Sequence, residues 1–442
     1  MKKFIETLKN IYKIDDLRVR IFNTLGFLLI YRLGSFVVLP GIDSVALQEV
    51  KGEAEGITAL INIFAGGAFS RASIFALGIM PYISASIVVQ LLGIAVPYFQ
   101  RLAKDGESGR RKMNQITRVL TIIVTVFQAP GYLASQVPDS AILTPGSFFW
   151  ISSTMILVTG TIFVMWLGEK ITDKGIGNGI SLIIMIGIIS RLPVSFVQEF
   201  ASRLESSGGG LVIFLIEMVF LFFVIVCSIL LVQGTRRIPV QFAKKIIGNK
   251  QYGGVRQYIP LKVNAAGVMP IIFAQAIMFI PITLVGFSSS ETMSGFVATM
   301  SDYTGFWHNL VFSVLIILFT YFYTAITVNP NQIAEDMKRN GGFIPGVKPG
   351  KKTSEFIDTV MSRITLPGSI FLALVAILPA FASLIGINQS FAAFYGGTSL
   401  LILVGVVLDT LQQIESHLLM RHYDGLMKSG RIKGRSSMSM AG

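Results

Sequence analysis

Residues that could do chemistry are few and scattered in this 442-residue chain. The three histidines, His308, His417 and His422, form no H-E-x-x-H zinc motif, and no G-x-S-x-G serine elbow occurs. The nearest approach to a phosphate-binding loop, 345–353, has proline for its first glycine and Lys352 where serine or threonine belongs. The sequence therefore predicts no metal, no cofactor and no enzyme activity.

Ionisable residues inside apolar segments are the other candidates for chemistry. Glu217 is the clearest carboxylate, and Arg32 and Arg191 lie in other apolar runs. Such residues usually pair with one another or extend to the membrane interface, so we predict structural roles for both arginines. The single cysteine, Cys227, is expected to fill space in a span.

One tetrapeptide pattern occurs twice, at 78–81 (Gly-Ile-Met-Pro) and at 267–270 (Gly-Val-Met-Pro). Each copy opens the second long apolar run of its half of the chain. Helices interrupted by glycine and proline at corresponding places in two halves indicate a substrate path near the membrane midplane. We therefore predict two related five-helix halves.

Ten apolar stretches are long enough to cross a bilayer, and 52% of the residues are hydrophobic. Because the stretches are continuous and not alternating, a β-barrel is excluded and an all-α polytopic membrane protein is predicted. The predicted spans are 21–39, 73–96, 117–137, 148–167, 180–200, 211–232, 265–286, 307–328, 365–385 and 395–414.

The net charge of +13 is distributed unevenly along the chain. Of the 37 lysines and arginines, 32 fall in the segments that ten spans would place on the same side as both termini. The opposite side carries only Lys51, Arg71 and Arg203. By the positive-inside rule, both termini are predicted to be cytoplasmic.

The predicted division of the chain follows these spans. Residues 1–20 form a cytoplasmic amphipathic segment, 21–205 the first half, 206–416 the second half and 417–442 a cytoplasmic tail. An apolar external stretch at 57–69 is too short to span. From the residues alone it could be a half-helix that re-enters the protein or a helix lying on the outer surface.

Three cytoplasmic loops, 97–118, 233–264 and 329–364, are long and basic. Such loops could merely enforce orientation and contact anionic lipid, but three together favour a docked partner that is acidic or is RNA. In the second loop, Gly253-Gly254 suggests the turn of a β-hairpin.

The motifs along most of the chain resemble the SecY family of protein-translocation channels. The strongest carriers are 70–87 (SRASIFALGIMPYISASI), 100–112 (QRLAKDGESGRRK), 175–181 (GIGNGIS) and 396–402 (GGTSLLI). The resemblance implies an hourglass pore between the two halves. It makes the 57–69 segment a re-entrant plug.

The resemblance also implies roles for particular residues. A pore ring of aliphatic side chains is expected from Ile79, Ile83, Ile180, Ile184, Ile272 and Ile402. The plug would include Ile61, Asn62, Ile63, Phe64 and Phe69. Polar residues of a lateral gate would be Ser84, Gln90, Gln128 and Gln275.

Partners follow from the same resemblance. The family implies companion subunits SecE and SecG, the motor SecA, the ribosome, polypeptide substrates and the lipid bilayer of the cytoplasmic membrane. Docking residues would be Arg236, Arg237, Lys244, Lys245, Lys348, Lys351 and Lys352. Lys348 replaces an arginine common in the family, so it keeps the charge but loses the bidentate fork. The alternative function is an ion-coupled transporter of small solutes, for which buried acids are too scarce.

Overall fold

The structure is a computed structural model that describes residues 14–50, 62, 65–143, 146–205, 210–242, 245–247, 250–252, 256–285, 302 and 304–428. These residues form two compact units. The first contains the described residues up to Ser190 together with those from Val406 onward, and the second contains those between Arg191 and Gly405.

A helix occupies each of the ten predicted spans. The ten are α1 (Asp15–Gly34), α3 (Met80–Ala95), α5 (Gly106–Gln136), α6 (Ser147–Lys174), α7 (Gly179–Glu205), α8 (Gly210–Gln233), α9 (Met269–Val285), α10 (Phe306–Thr327), α12 (Lys351–Leu384) and α14 (Gly397–Lys428). The shorter helices are α2 (Ser44–Val50), α4 (Pro97–Lys104), α11 (Pro330–Arg339) and α13 (Gln389–Ala392). By length and apolarity, seven of the described helices could cross a membrane, or eight if the bent pair α3–α4 counts as one. The chain is therefore a multi-pass helical membrane protein, and the count of ten spans stays a prediction.

The repeated tetrapeptide marks the same structural event in both units. Gly78 and Gly267 have positive φ values of 52° and 63°, and the next helices begin two residues later, at Met80 and Met269. Proline follows each methionine at a position where the first turn of a helix tolerates its missing N–H. A helix therefore begins at the motif in both units, after a turn. That each is one part of a broken helix stays a prediction.

In the first unit, α5 packs against α3, α4 and α6, and α1 packs against α6. An aromatic row crosses this unit: Tyr31 stacks on Phe75, Phe75 on Phe163, and Phe163 on Trp166. Stacked aromatic pairs add to the free energy of area burial. The row fixes the segment just before Gly78 against α1 and α6.

In the second unit, α10 packs between α9 and α12. The core of this unit contains Ile271, Ile316, Leu372 and Leu401, all at most 1% exposed. Small residues such as Ala274 and Ala376 allow these helices to approach closely, as is usual in membranes.

The two large loops of the second unit, 233–264 and 329–364, contribute strands to one small sheet. Strands β1 (Thr235–Phe242) and β4 (Arg256–Lys262) pair antiparallel, and β5 (Gly342–Phe343) adds to the other edge of β1. Strands β2 (Lys245–Ile247) and β3 (Lys250–Tyr252) form a second antiparallel pair. Ile247 pairs with Lys250, so β2 and β3 are hairpin partners within the predicted loop. Gly253 and Gly254, where the sequence suggested the turn, lie outside the described residues.

Candidate functional site

The six isoleucines predicted to line a pore all lie near the start of a helix. Each lies at the N cap or among the first six residues of a helix that starts after a turn or loop. Helical side chains lean toward the N-terminus, so these isoleucines lean toward the interruption that precedes their helix. The positions are Ile79 and Ile83 at α3, Ile180 and Ile184 at α7, Ile272 at α9, and Ile402 at α14.

The start of α7 shows why the chain places two of them there. Asn178 caps the helix by accepting hydrogen bonds from the backbone N–H groups of Ile180 (3.1 Å) and Ser181 (3.3 Å). A Cβ added to Gly179 would come within 2.0 Å of the Gly168 carbonyl oxygen, so only glycine permits this crossing of α6 and α7. Ile180 is therefore held directly beside the α6 backbone.

Burial differs among the six. Ile79, Ile184 and Ile402 are 3–5% exposed, whereas the other three are half-buried. The first four belong to the first unit and the last two to the second. A ring made by all six stays a prediction.

The predicted plug is described in part, at Asn62 and from residue 65 onward. Residues 65–72 are turns, so the prediction of a helix as far as residue 69 is wrong. The reason is local: Gly66 and Gly67 have positive φ values of 61° and 86°, which a helix cannot contain. Phe69 is buried, as a plug requires. Ile61, Ile63 and Phe64 lie outside the described residues.

Asn62 organises this turn. Its side-chain oxygen accepts from the backbone N–H of Ser70 (3.1 Å), and its carbonyl accepts from Gly67 (2.8 Å). Tyr132 on α5 donates its hydroxyl to the Phe69 carbonyl (2.7 Å) and packs edge-on against the Phe69 ring. The turn is thus attached to α5 through both backbone and side chain.

Two arginines meet at the same turn, which the sequence did not indicate. Arg32 from α1 donates to the Gly66 carbonyl (2.8 Å), and Arg71 donates to the carbonyls of Gly66 (3.0 Å) and Gly67 (3.1 Å). Both guanidinium groups lie over the Phe36 ring, at 4.9 and 4.2 Å from its centroid. The sequence shows only that Arg32 lies in an apolar run. Its partner, the Gly66 carbonyl, is brought close by tertiary folding.

The polar residues predicted for a lateral gate are all half-buried. Ser84 donates to the Met80 carbonyl and Gln90 donates to Ser86, so both hydrogen bonds stay within α3. Bonds of this kind satisfy a polar group without holding two helices together. The gate roles of these two and of Gln128 and Gln275 stay predictions.

The predicted docking residues are brought together by the small sheet. Arg236 and Arg237 lie exposed on β1, with Arg256 and Lys262 exposed on the paired strand β4. Lys348 lies in the loop that follows β5, and Lys351 begins α12. Ile238, Val240, Leu261, Ile344 and Ile357 bury their side chains in a common core beneath these residues. Lys245 lies on β2, and Lys244 is outside the described residues.

Lys352 differs from its neighbours in having an acidic partner. It donates to Glu355 at 2.8 Å, and this hydrogen bond raises the pKa of Lys352 and lowers that of Glu355. Lys348 and Lys351 are exposed, and no ion pair of theirs occurs among the described residues. They are the stronger candidates for contact with an acidic partner.

A buried ionic network lies at the junction of α7, α8 and the segment after α12. Arg203 forms ion pairs with Glu199 (2.8 Å) and Glu217 (2.6 Å) and donates to the Gly386 carbonyl (2.8 Å). Glu199 also accepts from the Asn388 backbone N–H at 2.8 Å. The two carboxylates are 1% and 7% exposed. The buried acid predicted at Glu217 therefore has a structural partner.

Solved structures define the class to which this architecture belongs. A protein-conducting channel superposes with a TM-score of 0.64 at 17% identity, covering 90% of this chain and 92% of that one. A SecY protein, whose plug domain is described as stabilising the closed channel and maintaining a membrane seal, gives 0.64 at 18% over the same shares. Canine Sec61 in a ribosome–channel complex gives 0.60 at 16%, again over 90% and 92%. The fold is that of the protein-conducting channels.

Sequence comparisons identify the family. The SecY family model matches residues 73–411. Protein translocase subunit SecY of Streptomyces scabiei is 42% identical, covering 94% of this chain and 98% of the relative. The corresponding subunit of Chlamydia trachomatis is 40% identical over 97% and 99%. The chain belongs to the SecY family.

Proposed function

We propose that this chain forms the protein-conducting channel of the cytoplasmic membrane. It passes unfolded secretory polypeptides across the membrane and releases transmembrane helices sideways into the lipid, with both termini in the cytoplasm. The observation that carries the proposal is the placement of six isoleucines at interrupted helix starts in a chain of the SecY family. An ion-coupled transporter is not supported, because the relatives are translocase subunits.

The proposed pore works without covalent chemistry. A narrow apolar constriction excludes water and ions, and aliphatic side chains can pack around many different polypeptide sequences. The turn at 65–72 would close the external side and leave when a polypeptide enters. Half-buried polar side chains at Ser84, Gln90, Gln128 and Gln275 would keep the lateral seam weak enough for an apolar signal helix to enter. The bonds of Ser84 and Gln90 stay within α3, and polar bonds between membrane helices are weak in any case.

Polypeptide contact at Ile83 tests the channel. In a Cys227→Ser background, Ile83→Cys should crosslink to a stalled secretory chain that carries one cysteine, and only when its signal sequence is functional. Val219→Cys, 70% exposed on α8, should give no crosslink and serves as the control. Failure to crosslink at Ile83, Ile184 and Ile402, with export intact, would place the path elsewhere.

The exposed basic sheet is the proposed docking surface for SecA and the ribosome, with SecE and SecG as membrane companions. Charged loops that share a rigid core present their cations at fixed spacing, which suits a large acidic or RNA partner. Arginine can also contact phosphate bidentately, so Arg236 and Arg237 are the leading residues on the sheet.

Loss of these two charges should weaken docking in a salt-dependent way. We expect Arg236→Ala with Arg237→Ala to lower ribosome affinity for the reconstituted channel and to reduce the slope of log affinity against log salt by about 2. Equilibrium binding at several salt concentrations measures both. Gln257→Ala, an exposed uncharged position on β4, is the matched control. An unchanged slope would show that the sheet is not the docking surface.

A further inference from the structure

Three side chains converge on the carbonyls of Gly66, Gly67 and Phe69 in the turn at 65–72. Arg32 reaches the turn from the end of α1, and Tyr132 reaches it from α5. Arg71 belongs to the turn itself and donates to the carbonyls of Gly66 and Gly67. Arg71 therefore closes the turn internally, and Arg32 and Tyr132 attach it to α1 and α5.

The attachment is a close fit at Gly66. A Cβ there would come within 2.8 Å of Arg32 Nη1 and 3.0 Å of the Gly187 Cα on α7. The backbone thus lies directly against the guanidinium, with no room for a side chain between them. Phe69 fills the other end of the turn by packing on the Tyr132 ring at a centroid distance of 4.9 Å.

The two positive charges limit the strength of this attachment. Arg32 and Arg71 donate to the same carbonyl oxygen and lie over the same Phe36 ring, so two like charges are held close together. Carbonyl and ring attract each guanidinium, while the mutual repulsion lowers the net gain. Such an arrangement holds the turn in one place without making its release prohibitively costly.

We infer that Arg32 and Tyr132 act as a latch that holds the 65–72 turn in the resting position and sets how readily the channel opens. This inference rests on the proposed channel function. Arg71 and Phe36 support the latch, because they orient the carbonyls and the Arg32 guanidinium. The latch is a determinant of opening and does not itself contact the translocating polypeptide.

Resting leak measures the latch directly. We expect Arg32→Gln to raise the ion conductance of idle channels in proteoliposomes about tenfold, since a hydrogen bond to a charged group is lost. Tyr132→Phe keeps the ring packing on Phe69 and removes only the hydroxyl, so a smaller, few-fold increase is expected. Both variants should also export a precursor with a defective signal sequence. Arg18→Gln, on the same helix α1 and ion-paired to Asp15, should leave the leak unchanged.

Further readouts separate the latch from a folding defect and from the proposed function. Normal export of an intact precursor by Arg32→Gln would show a folded, working channel. A leak equal to the parent in both Arg32→Gln and Tyr132→Phe, with that export intact, would overturn the latch and leave the channel function standing. If Arg32→Gln fails to fold, Tyr132→Phe decides alone. If Ile83→Cys also gives no crosslink to the secretory chain, that result contradicts the proposed channel function itself.

Discussion

Arg203→Ala is expected to lower the free energy of unfolding by about 3–5 kcal/mol, because it leaves two buried carboxylates without their shared cation. Glu199 is 1% exposed and Glu217 is 7% exposed, so both carboxylates are desolvated and depend on this partner. The Gly386 carbonyl would lose its donor as well. Thermal unfolding of the purified protein in detergent, followed by circular dichroism, measures the loss.

A surface ion pair provides the matched control. Arg118 contacts Glu169 through two hydrogen bonds, at 2.9 and 2.8 Å, but its side chain is 47% exposed. Arg118→Ala should cost at most about 1 kcal/mol, since solvent screens the remaining charge. In the buried network, adding Glu217→Gln to Arg203→Ala should recover part of the loss by removing one unpaired charge. Equal losses for the two arginines, without recovery, would contradict a network of buried charges.

The helix starts could be predicted from the sequence because their causes are local. Glycine tolerates positive φ, and proline three residues later suits the first turn of a helix, so 78–81 and 267–270 each specify their own geometry. Continuous apolarity and length are likewise local properties, and they located the ten stretches, each of which contains a helix. Periodicity and composition need no knowledge of the tertiary neighbours.

Most features that the sequence did not predict depend on distant partners. Strand β5 pairs with β1 across about a hundred residues, so two loops that look separate share one sheet. Arg203 is a lone external charge in the sequence, but its partners come from α7, α8 and the segment after α12. The end of the predicted plug helix is the exception, because the positive φ values of Gly66 and Gly67 are a local cause.

Gly160→Ala is the second change expected to have a large effect. A Cβ at this position on α6 would meet the Ile74 carbonyl oxygen at 2.1 Å and its carbon at 3.1 Å. These are backbone atoms. They are fixed in turn because the Ile74 N–H donates to the Val37 carbonyl at 2.9 Å and Ser73 bridges to Val38. The segment cannot move aside as a flexible side chain would, so we expect a loss of about 1–3 kcal/mol or more.

Gly131→Ala tests whether this cost arises from the contact or from the substitution itself. Gly131 lies inside α5, in the same unit, and a Cβ there would have no atom within 4 Å. Alanine favours a helix over glycine by about 1 kcal/mol, so this variant should melt at the same temperature as the parent or slightly higher. Of the two identical substitutions, only Gly160→Ala should therefore lower the melting temperature. Because Ile74 immediately precedes Phe75 of the aromatic row, Gly160→Ala should also disturb the start of α3, where Ile79 and Ile83 lie. A Gly160→Ala protein as stable as Gly131→Ala would mean that the 73–79 segment is not held as closely against α6 as these distances require.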